Sequence, residues 1–280
     1  MSCIIFFNCH GEEIKRYLSN SVIFANKYKL IHIPLYDYLA GYKFQNEKNL
    51  VQEHIDMISN ADILILQNMR KDRSFLNFDE IKKYAKESCK IIKIPHYTFS
   101  GYFSRYEAKH DLNLNIEKSY NELIKYIDNL ECHTDEFIKS NLELELVHIK
   151  ELDCMSDIKM YDFIENNYNK TRLFYSRIYP TGTFFYYLSK EILRLIEIYD
   201  LYDIQSMLFV NHEIPIHQKI INVLHLNFPY KSNRLYNYNI IEYYVACKRL
   251  DIDSLILDYR GKHKQHVNML NEIINNKQYK

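Results

Sequence analysis

The sequence predicts an α/β protein. A Rossmann-like or flavodoxin-like parallel sheet of about four to five strands fills the N-terminal half, and the C-terminal half is mainly helical. Three observations carry this. The first hundred residues hold four continuous apolar runs of strand length, each followed by a polar, helix-forming stretch; strands buried on both faces of a parallel sheet read as such runs. Beyond about residue 112 these runs thin out and long amphipathic stretches replace them. Hydrophobic residues make up 47% and charged residues 26% of the chain, the ordinary balance of a folded protein rather than a disordered one.

Taken in order, Ser2 to Phe7 is the first strand, ending at Asn8-Cys9-His10-Gly11, and Glu12 to Leu18 has helical composition. Leu30 to Leu35 is the second strand and ends at Tyr36-Asp37, before a helix over Leu50 to Ser59. Ala61 to Leu66 is the third and ends at Gln67-Asn68, before a helix from Asp79 to Ser88 with Ile81 and Tyr84 at helical spacing. Lys90 to Ile94 is the fourth and ends at Pro95-His96. Helices are then predicted over Asn115 to Asn129, Thr134 to Lys139, Glu145 to Asn167, Gly182 to Tyr199, His217 to His225, Ile240 to Leu250 and Lys264 to Asn275, with Leu173 to Tyr175 as a fifth short strand. No repeat or Pro/Ser-rich linker interrupts the chain. Residues 1–280 therefore read as a single compact unit, with an α/β half over 1–111 and a mostly helical half over 112–280.

Composition excludes several function classes. Only 5 of 280 residues are Gly, against about 7% in ordinary proteins, and neither GxGxxG nor GxxxxGK[ST] occurs, so Gly-rich phosphate cradles are out. Lys plus Arg and Asp plus Glu both number 36, for a net charge of zero; no nucleic-acid or membrane-surface partner is expected. No apolar stretch reaches the length of a membrane span, and the apolar run near Met1 lacks the basic flank of a signal peptide, so a cytoplasmic location is expected. Cysteines at 3, 9, 89, 132, 154 and 247 form no CxxC pair and read as reduced thiols. The set Cys132, His133, His148 and Cys154 fits no standard zinc spacing, so no metal is expected.

Ligands of open parallel sheets collect at the carboxyl ends of the strands. That rule nominates Asn8, Cys9, His10 and Gly11 after the first strand, and Asp37 and Tyr38 after the second. After the third come Gln67, Arg70, Lys71 and Arg73, and after the fourth His96, Tyr97, Ser100, Gly101 and Tyr102. A thiol at a helix N-terminus feels the positive end of the dipole, which lowers its pKa, and the adjacent amides with Asn8 offer an oxyanion hole. A small buried Cys and a surface His would read the same. The three cations at 70, 71 and 73 suit phosphates, or are a solvated loop. The aromatic loop from His96 to Phe103 suits stacking on an adenine or sugar, or is packed under the helical half. Arg172 to Tyr179 leads to Thr181, a plausible N-cap for the next helix.

In order, these motifs resemble the WcbI family of polysaccharide-biosynthesis proteins, acetyltransferases that bind coenzyme A. Asn8-Cys9-His10 parallels the family's Asn-Cys-Gln, and Ala61 to Gln67 parallels its Ala-Asp-apolar-Gln strand. Pro95 through Ser100-Gly101-Tyr102-Phe103 and Arg172-Leu173-Phe174 through Tyr179-Pro180 parallel two later segments. His10 stands where the family has Gln, and Tyr179 where it has His, so His10 or His96 must supply any proton transfer. The resemblance implies acetyl-CoA as co-substrate and acetyl transfer to an activated sugar. Cys9, His10 and His96 become catalytic candidates, and Asn8, Gly11, Gln67, Arg70, Lys71, Arg73, Tyr97, Ser100, Gly101 and Tyr102 cofactor contacts. Asp37, Tyr38, Arg172 and Tyr179 become substrate contacts. The composition, with 26 Tyr and no Trp, also resembles giant-virus proteins, for which N-acetylation of a nucleotide-linked amino sugar such as UDP-viosamine is implied. The alternatives are an esterase or deacetylase on the same turn, whose downstream Asp-x-x-His is not matched by Asp135-Glu136-Phe137-Ile138, and a non-catalytic module that binds CoA or a sugar nucleotide.

Overall fold

A computed structural model describes residues 1–38, 43–44, 46–47, 49–68, 74–103, 134–203, 216 and 218–228. The predicted helices over 115–129, 240–250 and 264–275 lie outside these residues, as do Arg70, Lys71 and Arg73. Two units share the chain. The first takes Met1–Tyr97, Val147–Glu165 and Thr181–Ser206, and the second Thr98–Leu146, Asn166–Pro180 and Met207–Lys280.

The first unit is built on four parallel strands: β1 (Ser2–Phe7), β2 (Lys29–Pro34), β3 (Ile63–Asn68) and β4 (Lys90–Pro95), in the order β2-β1-β3-β4. Ile4 lies between Ile31 and Leu64, and Ile65 lies opposite Ile92. Cys3 to Phe7 and Ile63 to Leu66 are all at most 2% exposed, which is why both strands read as unbroken apolar runs. Each such side chain contributes roughly 1.5–3 kcal/mol on burial. Strand β3 starts at Ile63, two residues later than predicted. Asp62 is occupied just before it, where its carboxylate accepts the Ser2 N–H at 2.7 Å and pairs with Lys86 at 2.7 Å.

Helix α1 (His10–Leu18) places acidic Glu12 and Glu13 in its first turn, where they complement the helix dipole, and buries Ile14, Tyr17 and Leu18. A second helix, α2 (Val22–Lys27), follows without a periodic apolar signal. It is held instead by Ser21, whose hydroxyl accepts the Phe24 N–H and donates to Asp200, and by Asp200 accepting the Ile23 N–H at 2.9 Å. A 3-10 turn over Leu35–Tyr38 leads from β2 toward α3 (Gln52–Ser59). The helix after β3 is shorter than the predicted Asp79 to Ser88: α4 covers only Phe78–Lys82. Beyond it Tyr84 and Ala85 bond back three residues, to Ile81 and Lys82, and wind the chain into tighter turns.

The predicted helices over 134–139 and 145–167 form one helix, α5 (Asp135–Cys154), and a shorter α6 (Tyr161–Asn167). The break falls where Asp153 turns inward to accept the Tyr97 hydroxyl at 2.8 Å and the Tyr161 N–H at 2.7 Å. In the second unit, β5 (Phe174–Ser176) pairs antiparallel with β6 (Tyr179–Pro180). It forms its own two-stranded sheet and does not extend the parallel sheet. The first unit continues with α7 (Gly182–Arg194), which buries Phe184, Phe185, Leu188 and Ile192 and sets Tyr186 6.4 Å from Tyr17 of α1. Last comes α8 (Gln218–Val223). Among the described residues no helix is long and apolar enough to cross a membrane.

Candidate active site

From β1 the chain runs to β2 on one side and returns to β3 on the other, so the carboxyl ends of β1 and β3 flank the point where the order reverses. Doubly wound sheets open a ligand crevice at that place. Asn8, Cys9 and Gln67 meet there. The Asn8 N–H donates to Gln67 Oε1 at 2.9 Å, and Gln67 is 7% exposed. The Asn8 side chain turns back to accept the His10 N–H at 2.9 Å, supplying the cap that Cys9, at the N-cap position, does not. Gly11 N–H closes the first turn on the Asn8 carbonyl at 2.9 Å.

His10 is 3% exposed, not a surface residue, and its ring lies 4.7 Å from His96 and 5.5 Å, edge-on, from Phe185. Two imidazoles, one after β1 and one after β4, are thereby brought into contact beside the thiol-bearing turn. Burial pushes His96 down from 6.5 to about 4, so it is neutral at physiological pH. The expectation of a depressed Cys9 thiol is corrected. Burial raises it above its ordinary value of 9.0 and outweighs the lowering by the amides of Cys9 and His10, because those two short-range dipoles do not replace the water that a thiolate loses.

The aromatic loop after β4 is packed inward, and this corrects its reading as an exposed stacking surface. Tyr97 is 2% exposed, and its hydroxyl donates to Asp153 and to the Ile158 carbonyl. In the second unit the Tyr102 hydroxyl, fully buried, donates to the Tyr168 carbonyl at 2.6 Å, and Ser100 donates to Glu145. A Cβ on Gly101 would come within 2.6 Å of the Phe99 ring, so a neighbouring aromatic sets that glycine. Arg172 is spent on the Phe174 and Tyr175 carbonyls at 3.0 and 3.1 Å, and Tyr179 is half-buried in β6. After β2, Tyr38 is buried with its hydroxyl 2.6 Å from His54 Nδ1 and accepting the Val51 N–H. Burial pushes it up to about 12. Asp37, half-buried, accepts the Phe44 N–H on its carbonyl.

Sequence reasoning missed two residues of this region. Phe185 lies on the buried stripe of α7, a stripe visible in the sequence but not assignable to a partner. His32 is the one polar side chain in the apolar run of β2, and that interruption was the available signal. Among the described residues no group of three His, Cys, Asp or Glu is placed to hold a metal.

Comparison with known proteins agrees with this fold. No curated protein matches the chain. A solved structure of WcbI, a polysaccharide biosynthesis enzyme, superposes with a TM-score of 0.66 at 14% identity, over 99% of this chain and 96% of the other. That protein is described as native and without a disulfide bond between coenzyme A and one of its cysteines. The two share the fold. The family model for polysaccharide biosynthesis enzyme WcbI matches residues 2–201. By that match, the chain belongs to the WcbI family of polysaccharide biosynthesis enzymes.

Proposed function

We propose that the protein is an acyltransferase that moves an acetyl group from acetyl-CoA to the amine of a nucleotide-linked amino sugar. The observation that carries this reading is the convergence of the Asn8-Cys9-His10 turn, Gln67 and His96 where the strand order reverses. The mention of coenzyme A and a cysteine in the related structure supports it.

The donor set suits a thioester carbonyl. The first-turn amides of His10, Gly11 and Glu12 bond within the turn, which leaves the Cys9 N–H at the N-terminal end of α1 as the backbone donor toward that carbonyl, with the Gln67 side chain flanking the turn. When bound, acetyl-CoA supplies an acyl carbon activated by its sulfur. An amino sugar reaches neutral solution as an ammonium, which is not nucleophilic. On becoming an amide nitrogen the ammonium gives up two protons: the neighbouring His10 and His96 imidazoles relay them, one to the departing thiolate and the other to solvent, while the acetyl group exchanges its C–S bond for a C–N bond. Because burial keeps Cys9 in its thiol form, direct attack by the amine is preferred to an acyl-cysteine route. Arg70, Lys71 and Arg73, outside the described residues, are proposed to meet the phosphates.

Calorimetry against acetyl-CoA, CoA and a panel of nucleotide amino sugars and hydroxy sugars tests the reading, with mass spectrometry of the products. Binding of acetyl-CoA and an acetamido product support it; no CoA species bound at millimolar concentration overturns it. The Cys9→Ala variant is expected to keep most of its turnover. A loss of roughly a hundredfold or more instead identifies Cys9 as the acyl carrier.

A further inference from the structure

His32 of β2 is the residue whose surroundings the mechanism above leaves unexplained. Its side chain is 5% exposed, yet its nitrogens face only oxygen acceptors. Nε2 lies 3.1 Å from the Phe7 carbonyl and 3.1 Å from the Asn8 carbonyl, and Nδ1 lies 3.3 Å from Glu12 Oε2. Nε2 therefore carries a proton and donates it, because a bare nitrogen lone pair against two carbonyl oxygens is repulsive. The ring occupies the space that Gly11 leaves open: a Cβ on Gly11 would fall 2.3 Å from Nε2 and 2.5 Å from Cδ2. Gly11 is thus required by the imidazole packed against it.

We propose that His32 is a positioning residue that fixes the direction of the Cys9 amide N–H by holding the Phe7 and Asn8 carbonyls. The proposal rests on the turn after β1 being the reaction site. In a trans peptide the C=O and the following N–H point opposite ways. Phe7 C=O and Asn8 N–H are gripped on opposite sides, by His32 and by Gln67. Asn8 C=O is gripped by His32 and by the Gly11 N–H, so the Cys9 N–H at the other edge of that peptide plane has one orientation open to it. That N–H points away from the helix, out of the N-terminal end of α1, and lies beside the Cys9 sulfur, whose ionisation it eases.

The Cys9 thiol reports on this orientation without any turnover. In the full chain, the rate of Cys9 alkylation by iodoacetamide is followed from pH 6 to pH 11 by quantifying the Cys9 peptide. His32→Leu removes the donor, and its profile is expected to move to higher pH with about a tenfold slower reaction near neutrality. His32→Gln keeps an N–H near the place of Nε2 and is expected to restore the original profile. Gly11→Ala displaces the ring and is expected to reproduce the shift if His32→Leu fails to fold. Folded His32→Leu and Gly11→Ala proteins with the original profile overturn the proposal, as does a His32→Gln profile shifted as far as that of His32→Leu. CoA titration of the unmodified protein separates the two readings. Absence of CoA binding with a shifted profile rejects only the proposed function, and CoA binding with an unmoved profile rejects only the role of His32.

Discussion

The turn after β1 and the loop after β4 carry similar promise in the sequence: each follows a buried strand, each mixes a glycine with polar groups, and each belongs to a segment that resembles the same family. Their structures differ in where the polar groups are spent. In the aromatic loop the Tyr97, Ser100 and Tyr102 hydroxyls all end on carboxylates or carbonyls of the chain itself, so that loop works as packing. In the turn after β1 the bonds from Gln67, Asn8 and His32 hold backbone in place, while Cys9 stays only partly covered and two imidazoles stand together. An aromatic-rich loop and a binding surface look alike in sequence because burial, which separates them, is a property of the whole fold.

Three substitutions press on that contrast. Tyr102→Ala deletes a fully buried ring and its hydroxyl bond and is expected to cost about 3–5 kcal/mol, lowering the melting temperature by roughly 10 °C. If the ring were a ligand platform, calorimetry would show lost affinity with the melting temperature unmoved. His96 comes next. Its folded value near 4 lies below the unfolded 6.5, so the unfolded chain binds the extra proton between those values. The stability that His96 contributes is complete above pH 6.5 and is lost as the pH falls toward 4, by about 3 kcal/mol. Urea midpoints measured across that range should fall more steeply for the unsubstituted protein than for His96→Gln, and parallel curves would place His96 in a wetter setting. Gln67→Leu has the smallest effect. It leaves the Asn8 N–H without its acceptor and is expected to cost about 1–3 kcal/mol in a urea titration, and to slow the acetyl transfer proposed above.

Much of the fold was legible because parallel strands buried on both faces write themselves as apolar runs; β1 appears with the limits its residues imply. Helix α2 was not, since Asp200, far along the chain, is what anchors its start. Nor could the sequence show that Phe174 would pair with Pro180 in a separate sheet. Within the candidate site, Cys9, His10, Gln67 and His96 were all nominated by one rule about strand ends. The ionisation of Cys9 was misjudged because a helix terminus is local and visible, whereas desolvation is set by everything packed around it. His32 stayed hidden because its role depends on a cross-strand neighbour, Ile5 opposite it in register, bringing the end of β1 within reach.

The interleaving of the first unit bears on how the protein is made. All four strands of the parallel sheet are complete by Pro95, but α7, which brings Phe185 against His10 and Tyr186 against Tyr17, begins only at Gly182. A ribosome emits the sheet long before the helix that covers α1, so the nascent chain carries uncovered apolar surface through the synthesis of the residues between. Chains ended soon after Pro95 keep the strands and lack that cover, so they are expected to be less soluble than the whole chain.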